Sequence, residues 1–217
     1  MRGLVRVGAA VPSLALGNVK ENMKRHLAMM REAKEKHVSI VTFPELSLTG
    51  YTCGDLFFQR RLLDDVTDAL LALKDEMPEG ILAVVGAPLE IEGALYNCAV
   101  VLHKGEIISA VPKTFLPNNG EFYEKRWFQS GDARRDASVA IPKLKTDVCR
   151  QAIFETEDGV RFGIELCEDL WAPLPPSTML SVEGAEIILN LSASNELLSK
   201  RAVSYTHLRA HETEADL

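Results

Sequence analysis

Apolar residues change their spacing along this chain in a way that marks out strands, helices and turns. Leu4-Val5-Arg6-Val7-Gly8-Ala9-Ala10-Val11 is a nearly continuous apolar run closed by Pro12, the pattern of a buried first strand. Val19, Met23, Leu27 and Met30 then recur at helical steps and predict a helix running to about Lys36. Asn18 opens it as N-cap, with Glu21 as capping-box partner. Val38 to Phe43 reads as the next strand, stopped by Pro44, and Leu46 to Tyr51 as a turn that uses Gly50. Leu62, Leu63, Val66, Leu70 and Leu73 form one face of a second helix, from about Arg60 to Lys74.

Beyond that helix the period returns to that of strands. Ile81 to Pro88 is a third strand, and Ala94 to His103 pairs antiparallel with Glu106 to Val111 across Lys104-Gly105. Phe115 to Phe128 is an aromatic-rich loop, and residues 130–147, polar and weakly patterned, predict an exposed excursion. Ala152 to Thr156 and Val160 to Leu166 form a hairpin across Glu157-Asp158-Gly159. Ser177 to Glu183 predicts a short helix and Ala185 to Asn190 a last strand, after which Ser192 to Asn195 starts a turn or a helix N-terminus. The class is α/β. Residues 203–217 continue no period, look like a cloning scar, and are set aside from the domain at residues 1–202.

Composition narrows the functions. With 217 residues the chain suits one large domain, and a net charge of −7 disfavours non-specific binding to nucleic acid or anionic membrane. Cys53, Cys98, Cys149 and Cys167 include no Cys-x-x-Cys pair, so neither a zinc site nor a disulfide framework is expected. Arg2, Arg6 and Pro12 interrupt any signal-like run, and no stretch reaches the ~18 apolar residues of a membrane span. A cytoplasmic, reducing location is the expectation, and there a cysteine stays a free thiol.

Three residues then gain weight together. Glu45, Lys113 and Cys167, spaced 68 and 54 residues apart, each follow an apolar strand within about two positions. If those strand ends share one rim of a sheet, they gather a carboxylate, an ammonium and a thiol where open α/β folds place reactive groups. The set suits acyl transfer through a thioester. A free thiol has a pKa near ~8.5 and needs a base at neutral pH, a task for Glu45. Lys113 can stabilise an oxyanion. No histidine falls near these strand ends except His103, which precedes a hairpin turn, so a Cys–His pair is disfavoured.

Four ordered segments, Phe43-Pro44-Glu45-Leu46-Ser47-Leu48-Thr49-Gly50-Tyr51, Pro112-Lys113-Thr114-Phe115-Leu116-Pro117, Gly120-Glu121-Phe122-Tyr123-Glu124-Lys125-Arg126-Trp127-Phe128 and Glu165-Leu166-Cys167-Glu168-Asp169-Leu170-Trp171, resemble the nitrilase superfamily of carbon–nitrogen hydrolases. Within it they are most similar to the glutaminase domains of glutamine-dependent NAD synthetases, over about residues 3–202. The resemblance implies a four-layer α-β-β-α sandwich, cut short at its C-terminal end. It implies Glu45 as general base, Lys113 as oxyanion stabiliser and Cys167 as nucleophile, with Glu121 as a second glutamate supporting the lysine. It places Asn119, Glu168, Ser194 and Lys200 at the substrate, although the family carries tyrosine where this chain has Asn119. The implied substrate is L-glutamine and the implied partner a C-terminal synthetase domain, in a homo-oligomer. No cofactor is implied for the glutaminase half; ATP and Mg belong to the synthetase domain, whose Gly-rich phosphate loop has no counterpart in these residues. Two other functions fit the same residues: a stand-alone hydrolase of another small amide, which the Asn119 departure motivates, and a non-catalytic assembly module.

Overall fold

The computed structural model describes residues 4–131, 138–141, 143–195, 198–200 and 202–203. Two sheets stand face to face. The larger has seven strands in the order β1-β2-β3-β4-β5-β7-β6. These are β1 (Val7–Ala9), β2 (Ile40–Thr42), β3 (Leu82–Ile91), β4 (Ala94–His103), β5 (Glu106–Pro112), β6 (Ser138–Ile141) and β7 (Thr146–Cys149). The smaller is β10 (Ile187–Leu191), β9 (Arg161–Leu166) and β8 (Ile153–Glu155), in that order. The described α-helices are α1 (Val19–Glu35), α2 (Arg60–Glu76) and α3 (Pro176–Val182), with short 3-10 helices at Gly54–Phe58, Glu124–Arg126 and Cys167–Trp171.

Side-chain alternation along the strands creates the layers. On β4, Cys98, Val100 and Leu102 pack into a core shared with Leu27 and Met30 of α1 and Val66 and Leu70 of α2. Ala99 and Val101, pointing the other way, join Phe162, Ile164 and Leu166 of β9 and Leu189 and Leu191 of β10 in a second core between the sheets. On β9 the intervening Gly163 faces α3, where a Cβ would lie 2.8 Å from Leu180 Cδ1. The layers are therefore helix, sheet, sheet, helix, the four-layer sandwich that the motifs imply.

Most expected elements are present, with instructive differences. β1 is shorter than the apolar run Leu4 to Val11 because it pairs only with the three residues of β2, and Leu4 and Val11 are exposed. Asn18 caps α1, its Oδ1 accepting from Glu21 N at 3.2 Å, but the Glu21 carboxylate pairs with Arg25 at 3.1 Å instead of closing a box. β3 runs through Pro88 to a hairpin with β4, because β2 pairs only with Leu82 to Val84 and β3 needs no donor on that side further along. The excursion over residues 130–147 holds β6 and β7, which attach to the large sheet through β5. Their four-residue lengths and polar members, Ser138, Thr146 and Asp147, left no apolar period to read. The foreign-tail expectation falls almost wholly on residues 204–217, outside the described residues.

The fold brings four chain ends to one rim: the turn after β2, the segment after β5, the turn after β9 and the exit of β10. β2 is parallel to β3, and β9 to β10.

Candidate active site

Glu45 sits on a tight turn that β3 shapes. Phe43 N donates to Val84 O at 2.9 Å and Leu48 N to Gly86 O at 3.1 Å, while Leu46 is left-handed at φ 51°. The turn lies so close to β3 that a Cβ at Gly86 would stand 2.3 Å from Pro44 O and 2.4 Å from Leu46 N. Only glycine permits that approach. Behind the turn, buried His26 stacks tilted on Phe43 at 4.3 Å between ring centroids and accepts from the Ser47 hydroxyl at 2.8 Å through Nε2. Its Nδ1 donates to Asn22 O at 2.7 Å.

Lys113 leaves the end of β5 and is clasped by two carboxylates. Its Nζ donates to Glu45 Oε1 at 2.6 Å and to Glu124 Oε1 at 2.7 Å, with the three side chains essentially inaccessible to solvent. Burial alone would lower the lysine pKa, but Glu45, Glu124 and Cys167 more than offset it, so Lys113 is held charged well above neutral pH. An ammonium has three N–H groups, and two are used here. Glu124 Oε1 also accepts from the Tyr51 hydroxyl at 2.6 Å, and its Oε2 is buried without a partner among the described residues. Burial first, and Glu45 after it, push the Glu124 carboxyl above its ordinary range despite Lys113.

Asn97, in the middle of β4, ties these two groups together. Its Nδ2 donates to Glu45 Oε1 at 2.7 Å, and its backbone carbonyl accepts from Lys113 N at 2.8 Å.

Cys167 opens a 3-10 turn, Cys167–Trp171, directly after β9, and adopts φ 44°. A cysteine in the left-handed region is strained, a feature that clusters at functional sites. Asp169 holds the turn: Oδ2 accepts from Leu166 N at 3.0 Å, while Oδ1 accepts from Thr114 N at 3.1 Å and Phe115 N at 2.7 Å. One carboxylate thus binds the nucleophile's turn to the residues that follow Lys113. Burial pushes the Asp169 carboxyl up to about 7, against the pull of those amides. At the sulfur, the Ser192 hydroxyl donates at 3.3 Å. The Ala193 amide donates to Glu45 Oε2 at 3.2 Å and also interacts with the thiol. Burial and then the Glu45 charge raise the Cys167 pKa to about 11, with Lys113 opposing. The resting thiol is therefore protonated and reacts only when a base takes its proton.

Glu45, Lys113 and Cys167, expected at one rim, are there together. The other expected residues divide. It is Glu124 rather than Glu121 that supports Lys113: Glu121 is exposed. The reason is local, since Phe122 N bonds Asn119 O at 3.0 Å and Glu124 N bonds Pro117 O at 3.1 Å, turning the chain so that the later glutamate points inward. Asn119 is exposed on that same turn. Ser194 and Lys200 meet, the lysine Nζ donating to the Ser194 hydroxyl and to Asn195 Oδ1, just beyond Ser192. Glu168 lines a cavity of about 380 Å³ with Thr114, Phe115, Lys125 and Trp171. Sequence reasoning missed Glu124, Asn97, Asp169 and Tyr51. Asn97 had a signal, a lone amide within an apolar strand.

The arrangement supplies what amide cleavage through a thioester requires: a protonated thiol, a carboxylate sharing the Ala193 amide with it, and a charged lysine with an N–H to spare. Among the described residues, no group of three His, Cys, Asp or Glu could hold a metal ion.

Comparison with known proteins places these features. A family model described as carbon-nitrogen hydrolase matches residues 6–216. The glutamine-dependent NAD(+) synthetase of Mycobacterium tuberculosis is 37% identical over 195 residues, covering 88% of this chain and 29% of that protein. The human protein of the same name is 30% identical over 187 residues, covering 82% of this chain and 26% of its own length. The chain thus spans under a third of these relatives. Among solved structures, a glutamine-dependent NAD(+) synthetase from Cytophaga hutchinsonii superposes with TM-score 0.80 at 29% identity, covering 93% of this chain and 32% of that one. An amidase from Nesterenkonia sp. shares the fold at TM-score 0.75 and 17% identity, covering 97% of this chain and 72% of that one.

Proposed function

The chain belongs to the carbon-nitrogen hydrolase family, and from that premise we propose that it is the glutaminase part of a glutamine-dependent NAD synthetase. The observation that carries the chemistry is the buried ammonium of Lys113, held by Glu45 and Glu124 beside a protonated Cys167. The likeness to glutamine-dependent NAD synthetases supports glutamine as the amide.

As the γ-carboxamide of L-glutamine approaches, Glu45 takes the proton of the Cys167 thiol and sulfur attacks the amide carbon. The developing oxyanion takes the third N–H of Lys113. Glu45 then returns its proton to the leaving nitrogen, ammonia departs, and a γ-glutamyl thioester remains. Glu45 next accepts a proton from water as its oxygen attacks the thioester, then returns that proton to the departing sulfur, so that glutamate leaves and both thiol and carboxylate are restored. Glu168, Ser194 and Lys200 are proposed to hold the amino-acid end of glutamine, the ammonium of Lys200 suiting its α-carboxylate. In the whole protein a synthetase domain would receive the ammonia, and ATP with Mg²⁺ bound there would supply the driving force for amidation of deamido-NAD. The setting is the cytoplasm, in a homo-oligomer; no helix among the described residues is long and apolar enough to cross a membrane.

Ammonia release from L-glutamine, compared with a panel of short ω-amides and carbamoyl compounds, tests this reading. Glutamine is expected to be preferred, with Cys167→Ala folded and inactive. A clear preference for another amide would replace the glutaminase assignment with that of a small-amide hydrolase.

A further inference from the structure

Glu45 has two carboxylate oxygens, and the structure treats them differently. Oε1 accepts from Lys113 Nζ at 2.6 Å and from Asn97 Nδ2 at 2.7 Å, which occupies both of its lone pairs. Among the described residues, Oε2 accepts only the Ala193 amide, at 3.2 Å, and that amide also interacts with the Cys167 sulfur. We infer that Asn97 is a positioning residue that closes Oε1 and leaves Oε2 as the oxygen that takes the thiol proton.

Three observations carry this inference, which rests on the proposed thioester chemistry. Asn97 is fully buried on β4, between apolar neighbours, and its Oδ1 has no hydrogen-bond partner among the described residues. An amide kept there with an unsatisfied carbonyl costs stability, so its donor end is the part in use. Its orientation is not free, because turning the amide would set Oδ1 against the Glu45 carboxylate. Finally, its backbone carbonyl holds Lys113 N at 2.8 Å, so one residue fixes the base and the start of the oxyanion donor's side chain.

Without the Asn97 N–H, one lone pair of Oε1 is freed, and the carboxylate is no longer held with Oε2 on the Ala193 amide that it shares with the sulfur. In the reaction, the S–H bond of Cys167 breaks, its proton goes to Oε2, and the sulfur electron pair forms the bond to carbon.

The test is the rate of Cys167 alkylation by iodoacetamide at neutral pH, followed by mass spectrometry on the chain, with folding checked by circular dichroism. Alkylation needs the thiol and its base but not glutamine. Glu45→Gln is expected to slow alkylation strongly. Asn97→Leu is expected to slow it about tenfold while Glu45 is present, on the scale of one charge-assisted bond, and to slow it no further in the Glu45→Gln background. No loss of rate in Asn97→Leu, or a loss of the same size in both backgrounds, would overturn the inference and leave Asn97 a purely structural residue. Wild-type alkylation no faster than that of Glu45→Gln would instead overturn the thioester reading.

Discussion

Replacing Lys113 by methionine removes the one positive charge that, among the described residues, is bonded to Glu45 and Glu124, both buried. Breaking a buried pair of this kind costs about 3–5 kcal/mol, because a charge is left uncompensated. Loss of the oxyanion donor lowers the rate by a further factor of about 10²–10³. Urea unfolding and ammonia release should therefore both fall in Lys113→Met. Intact stability would show that the carboxylates do not depend on the lysine. At this scale the sequence carried much of the site. Glu45, Lys113 and Cys167 were legible because each follows an apolar strand, and a strand end limits where a side chain can go. Glu124 was not, because Glu121 and Glu124 occupy one motif and only the backbone bonds Phe122 to Asn119 and Glu124 to Pro117 decide which turns inward. Asn97 was visible as a polar residue in an apolar strand, but its partner, 52 positions earlier, was not.

Elements act on the site through two close contacts. Gly86 lets the Glu45 turn rest on β3, and Gly86→Ala would press a methyl into Pro44 O and Leu46 N, both backbone atoms. The turn must shift, so this variant should lose amide-hydrolase activity more than its size suggests, at about 1–3 kcal/mol in stability. Wild-type activity in Gly86→Ala would mean that Glu45 tolerates displacement. Asp169 is the second contact, joining the turn after β9 to the segment after β5. Asparagine there can satisfy the amides on one side only, and its own N–H₂ faces a donor on the other. Asp169→Asn should cost about 1–3 kcal/mol, measured by thermal or urea unfolding. The helices and long strands were readable from their period. β6 and β7 were not, since at four residues each they are held by β5 and by one another, not by an apolar stripe.

Across the whole molecule, two buried groups give opposite pH dependences. Burial lowers His26 from 6.5 to about 4, so the unfolded chain takes up this proton first as pH falls. Its contribution to stability is full above about pH 6.5 and is lost on descending to about pH 4. Asp169, raised from 3.8 to about 7, has the reverse sign: its contribution is full below about pH 3.8 and is lost as pH rises through about 7. Wild-type stability should thus vary less between pH 4 and 6.5 than either residue alone dictates. Compared with wild type, His26→Gln should lose more stability as pH rises across that window, by up to about 3 kcal/mol on the scale of 1.4 kcal/mol per pKa unit. A constant difference between the two proteins from pH 4 to 7 would mean that His26 titrates normally in the fold. The layers themselves were legible in the motifs, because they rest on alternation along β4 and β9; pairing of Asp169 with a segment 54 residues earlier was not, because no local pattern encodes it.

The proposed chemistry requires a covalent bond between glutamine and Cys167. Acid quenching of the chain during turnover with L-glutamine, followed by peptide mass spectrometry, tests that bond most directly. The expected result is one γ-glutamyl group on the peptide containing Cys167, absent from Cys167→Ala. A chain that releases ammonia from glutamine without that adduct, or with the label on Cys53, Cys98 or Cys149, would contradict it.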